Sequence, residues 1–230
     1  MIASQGRYAP ERVMREVNLL DTYPRSQRPI AERQAAAIQQ RTVARQFGKE
    51  YFDGDRTQGY GGYRYDGRWV SVAKRICEFY GVKEGYRILD VGCAKGFLLH
   101  DLKGIVTDLV VAGLDVSGYA LTNTLPDIRP HVVQGTADAL PFPNSSFDVV
   151  ISINTIHNLE RERCKQALRE IERVSRRGKY VQVDSWLNEE QHRNFERWVL
   201  TALTYFEPEG WRRLFDEAGY KGDYYWTVTE

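Results

Sequence analysis

Residues 87–96 read RILDVGCAKG, an apolar run that ends on Asp90 and then breaks into a loop containing Gly92 and Gly96. Glycines placed directly after a buried strand allow a polar ligand to approach the backbone closely. The spacing of these glycines indicates which ligand the loop accepts, because each nucleotide-binding family spaces them differently.

Two phosphate-binding loops are disfavoured by the residues present. A nicotinamide-binding loop has the spacing G-x-G-x-x-G, and this chain has Ala94 in place of the middle glycine. A nucleoside triphosphate loop ends in Gly-Lys-Ser/Thr, whereas here Lys95 precedes Gly96 and Phe97 follows. Asp90 would repel a phosphate and suits a cationic group on the ligand. The loop therefore favours a nucleoside without phosphates, and we interpret Lys95 as a solvated side chain.

Strands and helices alternate along the chain after about residue 80. Apolar runs predict strands, and segments with apolar residues at helical spacing predict helices. The predicted strands are RILDVG, LVVAGLDVS, HVVQG, FDVVISI, KYVQVDS and DYYWTVTE. Helices are predicted at 31–47, 68–80, from Phe97 onward, and at 117–125, 161–175, 189–204 and 208–218. This alternation implies a parallel sheet with helices on both faces.

Composition and charge exclude several classes of protein. The 230 residues suffice for one full core, and no apolar stretch approaches the roughly 18–20 residues that span a bilayer. The first residues lack the apolar core of a signal peptide. Cys77, Cys93 and Cys164 are too few and too scattered for a disulfide framework or a zinc site. We therefore expect a reduced, cytoplasmic protein with no membrane partner and no metal, and its net charge of +1 gives no bulk attraction to nucleic acid.

Three motifs resemble those of class I S-adenosylmethionine-dependent methyltransferases. They are LDVGCAKG, GLDVS and GTADALPFPNSSFDVVIS, and the match extends over residues 66–184. The resemblance implies an α/β fold with a doubly wound, mostly parallel, seven-stranded-type methyltransferase (Rossmann-like) sheet, and S-adenosylmethionine as the cofactor. The chain departs from the family at Ala94, where glycine is usual. Members also end in an antiparallel hairpin, but only DYYWTVTE follows Gly222, so we predict that one terminal strand is missing or replaced.

The resemblance also assigns residues to the methyl donor. In this family Asp115 would accept the ribose hydroxyls, Val116 would lie against the adenine, and Asp138 would take the adenine amino group. Asp90 would balance the positive end of the donor. A single aspartate at a strand end is, alternatively, a helix cap or turn former. The assigned donor-binding residues in this part of the chain are Asp90, Gly92, Cys93, Gly96, Asp115, Val116, Ala137 and Asp138.

Residues 50–69, EYFDGDRTQGYGGYRYDGRW, form an aromatic segment in which rings are separated by glycines. We interpret it as a lid over the donor, in which ring faces attract the sulfonium and tyrosine hydroxyls, with Tyr65 as the catalytic candidate, orient the acceptor. The alternative is a packed surface loop. By the resemblance, Arg68 would bind the methionine carboxylate of the donor, which suits a guanidinium fork. The alternative for Arg68 is a solvated position on a helix.

The stretch SINTIHNL follows the fourth predicted strand, where the family places the methyl group. Asn154 would offer its backbone or amide oxygen to the donor's amino group. His157 is the candidate general base, because an imidazole takes a proton readily at neutral pH. A packed, structural histidine is the alternative.

The sequence thus predicts an N-terminal helical extension with an aromatic lid at residues 1–67 and an S-adenosylmethionine-binding domain at residues 68–230. The preferred function is methyl transfer to an oxygen or nitrogen atom of a small molecule, such as a sugar, a cell-surface precursor or a secondary metabolite, with no nucleic-acid partner. One alternative is a protein or nucleic-acid methyltransferase, although SINTIHN lacks the prolines of the adenine-amino enzymes. The other is a non-catalytic sensor or partner protein that binds the donor. The sequence leaves open whether the protein forms a homodimer.

Overall fold

The structure, a computed structural model, describes residues 14–24 and 38–229. The strands are Arg87–Val91 (β1), Val110–Asp115 (β2), Val132–Gln134 (β3), Phe147–Ile153 (β4), Ser175–Ser185 (β5) and Asp223–Val228 (β6). They form one sheet in the order β3-β2-β1-β4-β5-β6. Every neighbouring pair is parallel. The predicted α/β class and parallel sheet are confirmed.

The helices are Ile38–Ala44 (α1), Lys49–Asp53 (α2), Val70–Tyr80 (α3), Phe97–Ile105 (α4), Gly118–Thr122 (α5), Arg161–Val174 (α6), Glu189–Trp198 (α7) and Pro208–Ala218 (α8). Short 3₁₀ turns lie at Arg129–His131 and Ile156–Asn158. The α8 helix begins on a proline, whose fixed φ suits a first turn, and ends at Gly219 in the left-handed conformation, with φ 71°.

The sheet is buried on both faces. Along β1, the side chain of Ile88 enters the core beneath α3 and α4, while that of Leu89 enters the core beneath α6 and α8. Both side chains are fully buried. A strand covered on two faces reads as a continuous apolar run, which is why RILDV is recognisable without any alternation of polar residues.

Two predicted helices are shorter in the structure. The helix expected at 117–125 spans only Gly118–Thr122, where the poor helix formers Asn123 and Thr124 follow. The helix expected at 189–204 ends at Trp198. There the backbone N–H groups of Leu203 and Thr204 donate to the carbonyl of His157 instead of continuing a helix. Of the helix expected at 31–47, the part before Ile38 lies outside the described residues.

In the described part of the chain a single strand, β6, follows Gly222, as the sequence predicts. This strand is parallel to β5, with Val181 opposite Tyr224. The usual antiparallel hairpin is therefore replaced by one parallel strand at the end of the sheet.

The segment at residues 14–24 covers the outer edge of β6. The Val17 N–H donates to the Tyr224 carbonyl at 2.9 Å, and the Tyr224 N–H donates to the Arg15 carbonyl at 3.0 Å. The Arg15 guanidinium also forms a two-point ion pair with Asp223. Leu19 is fully buried in the core beneath α3. Among the helices that the structure describes, none is long and apolar enough to cross a membrane.

Candidate active site

A cavity of about 970 Å³ lies at the carboxyl ends of β1, β4, β5 and β6. Ligands of open parallel sheets bind at this edge, because the loops that follow the strands converge there. Six of the residues that the sequence assigns to the site line the cavity: Arg68, Asp90, Gly92, Cys93, Asn154 and His157.

The glycine loop after β1 is held by the carboxylate of Asp115 at the end of β2. The backbone N–H of Ala94 donates to its Oδ2 atom, and that of Ser117 donates to its Oδ1 atom, both at 2.8 Å. Burial raises the pKa of Asp115, and these backbone donors oppose the rise. Each carboxylate oxygen keeps a second lone pair, which suits the two ribose hydroxyls expected here.

Three residues of this loop adopt the left-handed conformation: Gly92 has φ 87°, Ala94 has φ 48° and Gly96 has φ 74°. An added Cβ on Gly92 would lie 2.0 Å from the Thr155 hydroxyl oxygen, so this glycine is required by both conformation and space. Ala94 keeps the left-handed turn at the position where the resembling family has glycine, at a cost of about 1–2 kcal/mol.

Asp90 presents a buried carboxylate to the cavity. Its side chain lies at the end of β1 and the residue is 5% exposed. Burial, and secondarily the charge of Asp115, raises the pKa of Asp90 to about 7. Among the described residues none donates a hydrogen bond to this carboxylate. A buried carboxyl group without a hydrogen-bond donor suits a cationic group of the ligand, because a nearby cation favours the ionised form of the carboxyl.

Arg68 lines the same cavity, just before α3. Its guanidinium donates to both carboxylate oxygens of Asp66, with the shortest contact at 2.5 Å. The hydrogen bond from Arg68 lowers the pKa of Asp66 to about 2, so the pair is ionised at neutral pH. Burial raises the pKa of the Tyr23 hydroxyl, and the nearby Arg68 opposes that rise. Arg68 is thus already paired with a carboxylate of the protein. The carboxylate of a bound methyl donor would have to share the guanidinium with Asp66 or displace Asp66 from it.

The aromatic segment is fastened to the glycine loop by a buried ion pair. Lys95 is 6% exposed, which corrects the expectation that it is solvated. Its ammonium donates to both oxygens of Asp53, at 2.8 and 2.6 Å, and to the Tyr63 carbonyl at 2.8 Å. Asp53 also accepts hydrogen bonds from the Tyr119 hydroxyl and the Tyr63 N–H. We call this group, Asp53, Tyr63, Lys95 and Tyr119, the latch.

Rings of the aromatic segment extend from the latch to the cavity wall. Tyr60 and Tyr63 line the cavity, and their ring centroids lie 4.6 Å apart. Tyr65, in contrast, lies outside the cavity lining in the described part of the chain. Its hydroxyl donates to Asp101 at 2.6 Å, and its ring packs edge-on against His100. This corrects the expectation that the Tyr65 hydroxyl orients the acceptor.

Asn154 lies directly after β4, with φ 52°. A chain of hydrogen bonds runs to it across the strand ends: Gln182 Nε2 donates to the Thr227 hydroxyl at 2.9 Å, which donates to Asn154 Oδ1 at 2.7 Å. The amide oxygen of Asn154 keeps a second lone pair beside the Thr227 hydrogen bond. The contact of its backbone or amide oxygen with the amino group of the methyl donor therefore stays a prediction.

His157 is buried at the edge of the cavity, and burial lowers the pKa of its imidazole. Its Nδ1 atom accepts the backbone N–H of Asp184 at 3.0 Å. A neutral imidazole that accepts at Nδ1 carries its proton on Nε2. The lone pair that a general base needs is therefore occupied by the protein backbone, which supports the structural alternative for His157.

The other predicted donor-binding residues surround the site without lining the cavity. Gly96, with φ 74°, begins α4, and a Cβ there would lie 2.7 Å from Ile128. Ala137 is buried in the core, and Val116 is 48% exposed. Asp138 forms a two-point ion pair with Arg163, with the closest contact at 2.6 Å. Arg163 would have to share this carboxylate with an adenine amino group.

The sequence interpretation missed several residues on the far wall of the cavity. The carboxylate of Asp184, near the end of β5, lies 3.6 Å from His157 Nε2. Trp198, the last residue of α7, also lines the cavity, as do Leu200 just beyond this helix and Tyr225 of β6. The aspartate next to the last residue of the predicted strand KYVQVDS was the one available signal for Asp184. The signal was weak because an acidic residue commonly caps a strand or turn.

The strand order, the glycine loop and the acid that ends β2 are those of an α/β protein with a nucleoside-binding type of site. Residues 89–183 match the family model described as "Methyltransferase domain". Over these residues the chain is similar to class I S-adenosylmethionine-dependent methyltransferases, and S-adenosylmethionine is the cofactor of that class.

Curated relatives and solved structures agree with this class. The chain is 29% identical over 142 residues to a tRNA (carboxymethyluridine(34)-5-O)-methyltransferase of Arabidopsis thaliana, covering 61% of this chain and 33% of that protein. It is 32% identical over 94 residues to the uncharacterized methyltransferase YdaC of Bacillus subtilis, covering 39% and 52%. The crystal structure of YcgJ from Bacillus subtilis is similar in fold, with a TM-score of 0.51 and 19% identity, over 64% of this chain and 66% of that one. The matched region thus spans between a third and about half of these curated relatives.

The residues of the cavity fit S-adenosylmethionine. That molecule carries an ammonium group, a carboxylate and a sulfonium on one end and a ribose with adenine on the other. The carboxylate of Asp90, to which no described residue donates a hydrogen bond, suits a cation. The Arg68 guanidinium suits a carboxylate, and tyrosine rings suit a sulfonium.

Proposed function

We propose that this protein is an S-adenosylmethionine-dependent methyltransferase that transfers a methyl group to an oxygen or nitrogen atom of a small molecule. The observation that carries the proposal is the buried Asp90 carboxylate, which faces the cavity without a hydrogen-bond donor among the described residues. A group of this kind needs a cation, and the donor of this enzyme class brings one.

The proposal gives the protein three tasks in methyl transfer. S-adenosylmethionine, when bound, supplies a reactive methyl group on a positively charged sulfur. Asp90 and Arg68 hold the charged end of the donor, and Asp115 holds the ribose through its second lone pairs. The latch keeps the aromatic segment over the glycine loop, so that water is excluded and the reacting atoms stay aligned.

The charges of the cavity favour a small acceptor over a nucleic acid. Two arginines line it, and both are engaged by protein groups: Arg68 with Asp66, and Arg56 with the Tyr60 carbonyl at 2.6 Å. Arg56 also lies 5.6 Å from the Trp198 ring. Binding a polynucleotide depends on several cations that are available to phosphates. The Arabidopsis relative is named for a tRNA substrate, so tRNA is the second candidate acceptor.

Labelled methyl transfer tests the proposal directly. The protein would be incubated with S-adenosylmethionine carrying a tritiated methyl group and, separately, with a panel of small alcohols and amines or with total tRNA. We expect label in a small molecule and none in tRNA. Label in tRNA alone would show that the acceptor is a nucleic acid and not a small molecule. Binding of S-adenosylhomocysteine by calorimetry, with no label in any acceptor, would instead indicate a non-catalytic protein.

A further inference from the structure

Asp184 occupies the part of the cavity that the donor-binding residues leave open. It lies opposite Thr227 in the pairing of β5 with β6, two strands away from Asp90 on β1. Its side chain is 21% exposed and lines the cavity beside Asn154 and His157. Trp211 of α8 fixes the backbone here, since its indole N–H donates to the Asp184 carbonyl at 2.9 Å.

The carboxylate of Asp184 is kept apart from cationic side chains. Of the lysine and arginine side chains that the structure describes, none forms an ion pair with it. The imidazole of His157 lies 3.6 Å from this carboxylate, and burial keeps that imidazole neutral by lowering its pKa. With no lysine or arginine held against it, the carboxylate can accept a hydrogen bond from a ligand in the cavity. The remaining titratable side chains that line the cavity are Asp90, Cys93, Arg56, Arg68, Tyr23, Tyr51, Tyr60, Tyr63 and Tyr225.

His157 is built to hold Asp184 in place. Its Nδ1 atom accepts the backbone N–H of Asp184, and its Nε2 atom lies 3.6 Å from the carboxylate of the same residue. The histidine backbone is fixed in turn by the N–H groups of Leu203 and Thr204. One imidazole thus contacts both the main chain and the side chain of Asp184.

We propose that Asp184 accepts the proton of the methyl acceptor and that His157 is its positioning residue. This inference rests on the proposed function. A lone pair on the acceptor's oxygen or nitrogen forms a bond to the methyl carbon, and the electron pair of the methyl–sulfur bond leaves with the sulfur. The proton on that oxygen or nitrogen passes to a carboxylate oxygen of Asp184. The acceptor is therefore a hydroxyl or amine compound that is uncharged or cationic, because an anion would be repelled by Asp184.

Substitution of Asp184 separates this role from donor binding. With the first acceptor that the wild-type protein labels in the small-molecule panel, Asp184→Asn should lower kcat by about 10²–10⁴-fold. Its dissociation constant for S-adenosylhomocysteine should stay within about twofold of wild type. The loss of kcat in Asp184→Asn should become smaller as pH rises, because the methyl acceptor then loses its proton to the solvent. Asp216→Asn, which removes an exposed carboxylate on α8, is the control of equal charge.

Two substitutions of His157 test its contact with the Asp184 carboxylate and its contact with the Asp184 backbone N–H separately. His157→Gln keeps an N–H donor toward the carboxylate, and His157→Asn keeps an acceptor for the Asp184 N–H. We expect each to lower kcat by less than Asp184→Asn does, while the pH profile keeps its dependence on a carboxylate. A larger loss in the histidine variants than in Asp184→Asn would overturn the assignment of the proton acceptor.

Nitrogen-15 NMR gives a readout that needs no turnover. It should find the His157 imidazole neutral with its proton on Nε2, and Asp184→Asn should lower its pKa further, because Asp184 raises it. A proton on Nδ1 would overturn the proposal, as would an Asp184→Asn variant with near-wild-type kcat or with lost S-adenosylhomocysteine binding. Absence of labelling by the wild type would remove the proposed function, and this inference with it, even if the tautomer is as expected.

Discussion

Asp90 is the residue at which charge, burial and ligand binding are most closely linked. The raised pKa means that its carboxylate is about half protonated near pH 7 in the absence of a cation. A positively charged ligand favours the ionised form, so donor binding and proton release are coupled at this position.

Replacing Asp90 by Asn should stabilise the protein at high pH. The folded-state pKa of about 7 lies above the ordinary value for aspartate, so protonation of Asp90 stabilises the fold at low pH, and this contribution is lost as pH rises through 7. At pH 8.5 we expect Asp90→Asn to raise the free energy of unfolding by about 2 kcal/mol, and at pH 5 by much less. Urea denaturation at both pH values measures the difference. Equal effects would contradict the assigned pKa, and S-adenosylhomocysteine affinity should fall in the variant.

Gly92 can be distinguished from a glycine that is required by conformation alone. Gly81 has φ 59° with nothing within 4 Å of an added Cβ, whereas a Cβ on Gly92 would collide with Thr155. Gly81→Ala should cost about 1 kcal/mol through backbone strain, and Gly92→Ala should cost at least twice that and weaken donor binding. Thermal unfolding with and without S-adenosylhomocysteine compares the two. Similar costs would mean that Thr155 moves aside.

Individual residues could be predicted from the sequence only where their environment is local. Asp90, Gly92 and Asp115 lie at strand ends and in the turns that follow, so their neighbours are known from the chain itself. Tyr65 and Asp184 depend on contacts across the fold: Asp101 captures the hydroxyl of Tyr65, and the pairing of β5 with β6 brings Asp184 to the cavity. Lys95 was misinterpreted for the same reason, since Asp53 lies 42 positions away.

At the scale of elements, the latch joins α2 and the aromatic segment to the loop that holds the donor. Burial alone would raise the pKa of Asp53, but hydrogen bonds from Lys95 and Tyr119 outweigh it and lower the pKa. The carboxylate therefore stays ionised, and the latch remains an ion pair at neutral pH.

Breaking one side of the latch should loosen the aromatic segment. Asp53→Asn leaves the Lys95 ammonium buried without its counter-charge, which should cost about 3–5 kcal/mol and speed the dissociation of S-adenosylhomocysteine. Hydrogen exchange of residues 50–65 should rise in the variant. Asp55→Asn in the same segment, whose carboxylate is solvated, is the matched control. The double variant Asp53→Asn, Lys95→Met should recover part of the lost stability; failure to do so would argue against a direct ion pair.

Considered as a whole, the molecule closes its sheet with residues from near both ends of the described chain. The ion pair of Arg15 with Asp223 joins positions 208 residues apart, and the Asp223 side chain is 1% exposed. The sequence predicted the single terminal strand, from the shortness of DYYWTVTE. It gave no sign of the segment at residues 14–24, because a strip with only one bridge to a strand has no periodic pattern.

Arg15→Met should therefore destabilise the whole protein. The substitution leaves a buried carboxylate without its guanidinium, and because half of Arg15 is exposed we expect a cost of about 1–3 kcal/mol rather than the full value of a buried pair. Arg213→Met, which removes a surface arginine of α8 that lies 3.9 Å from Glu209, should change the free energy of unfolding by less than about 0.5 kcal/mol. Chemical denaturation measures both. Equal effects would mean that the segment at residues 14–24 contributes little to stability.

The backbone hydrogen bonds between residues 15–17 and β6 also constrain the order in which contacts form during synthesis. Tyr224 leaves the ribosome long after Val17, so the edge contact cannot form until almost all of this sequence has emerged. The central strands can pair earlier, since β1, β2 and β4 are complete by residue 153. Loop closure over such a distance is slow, and until it occurs the early segment has no strand to bind. During synthesis this edge is therefore covered only after the central strands can pair, and in a nascent chain stalled before residue 223 the segment at residues 14–24 would still lack its partner strand.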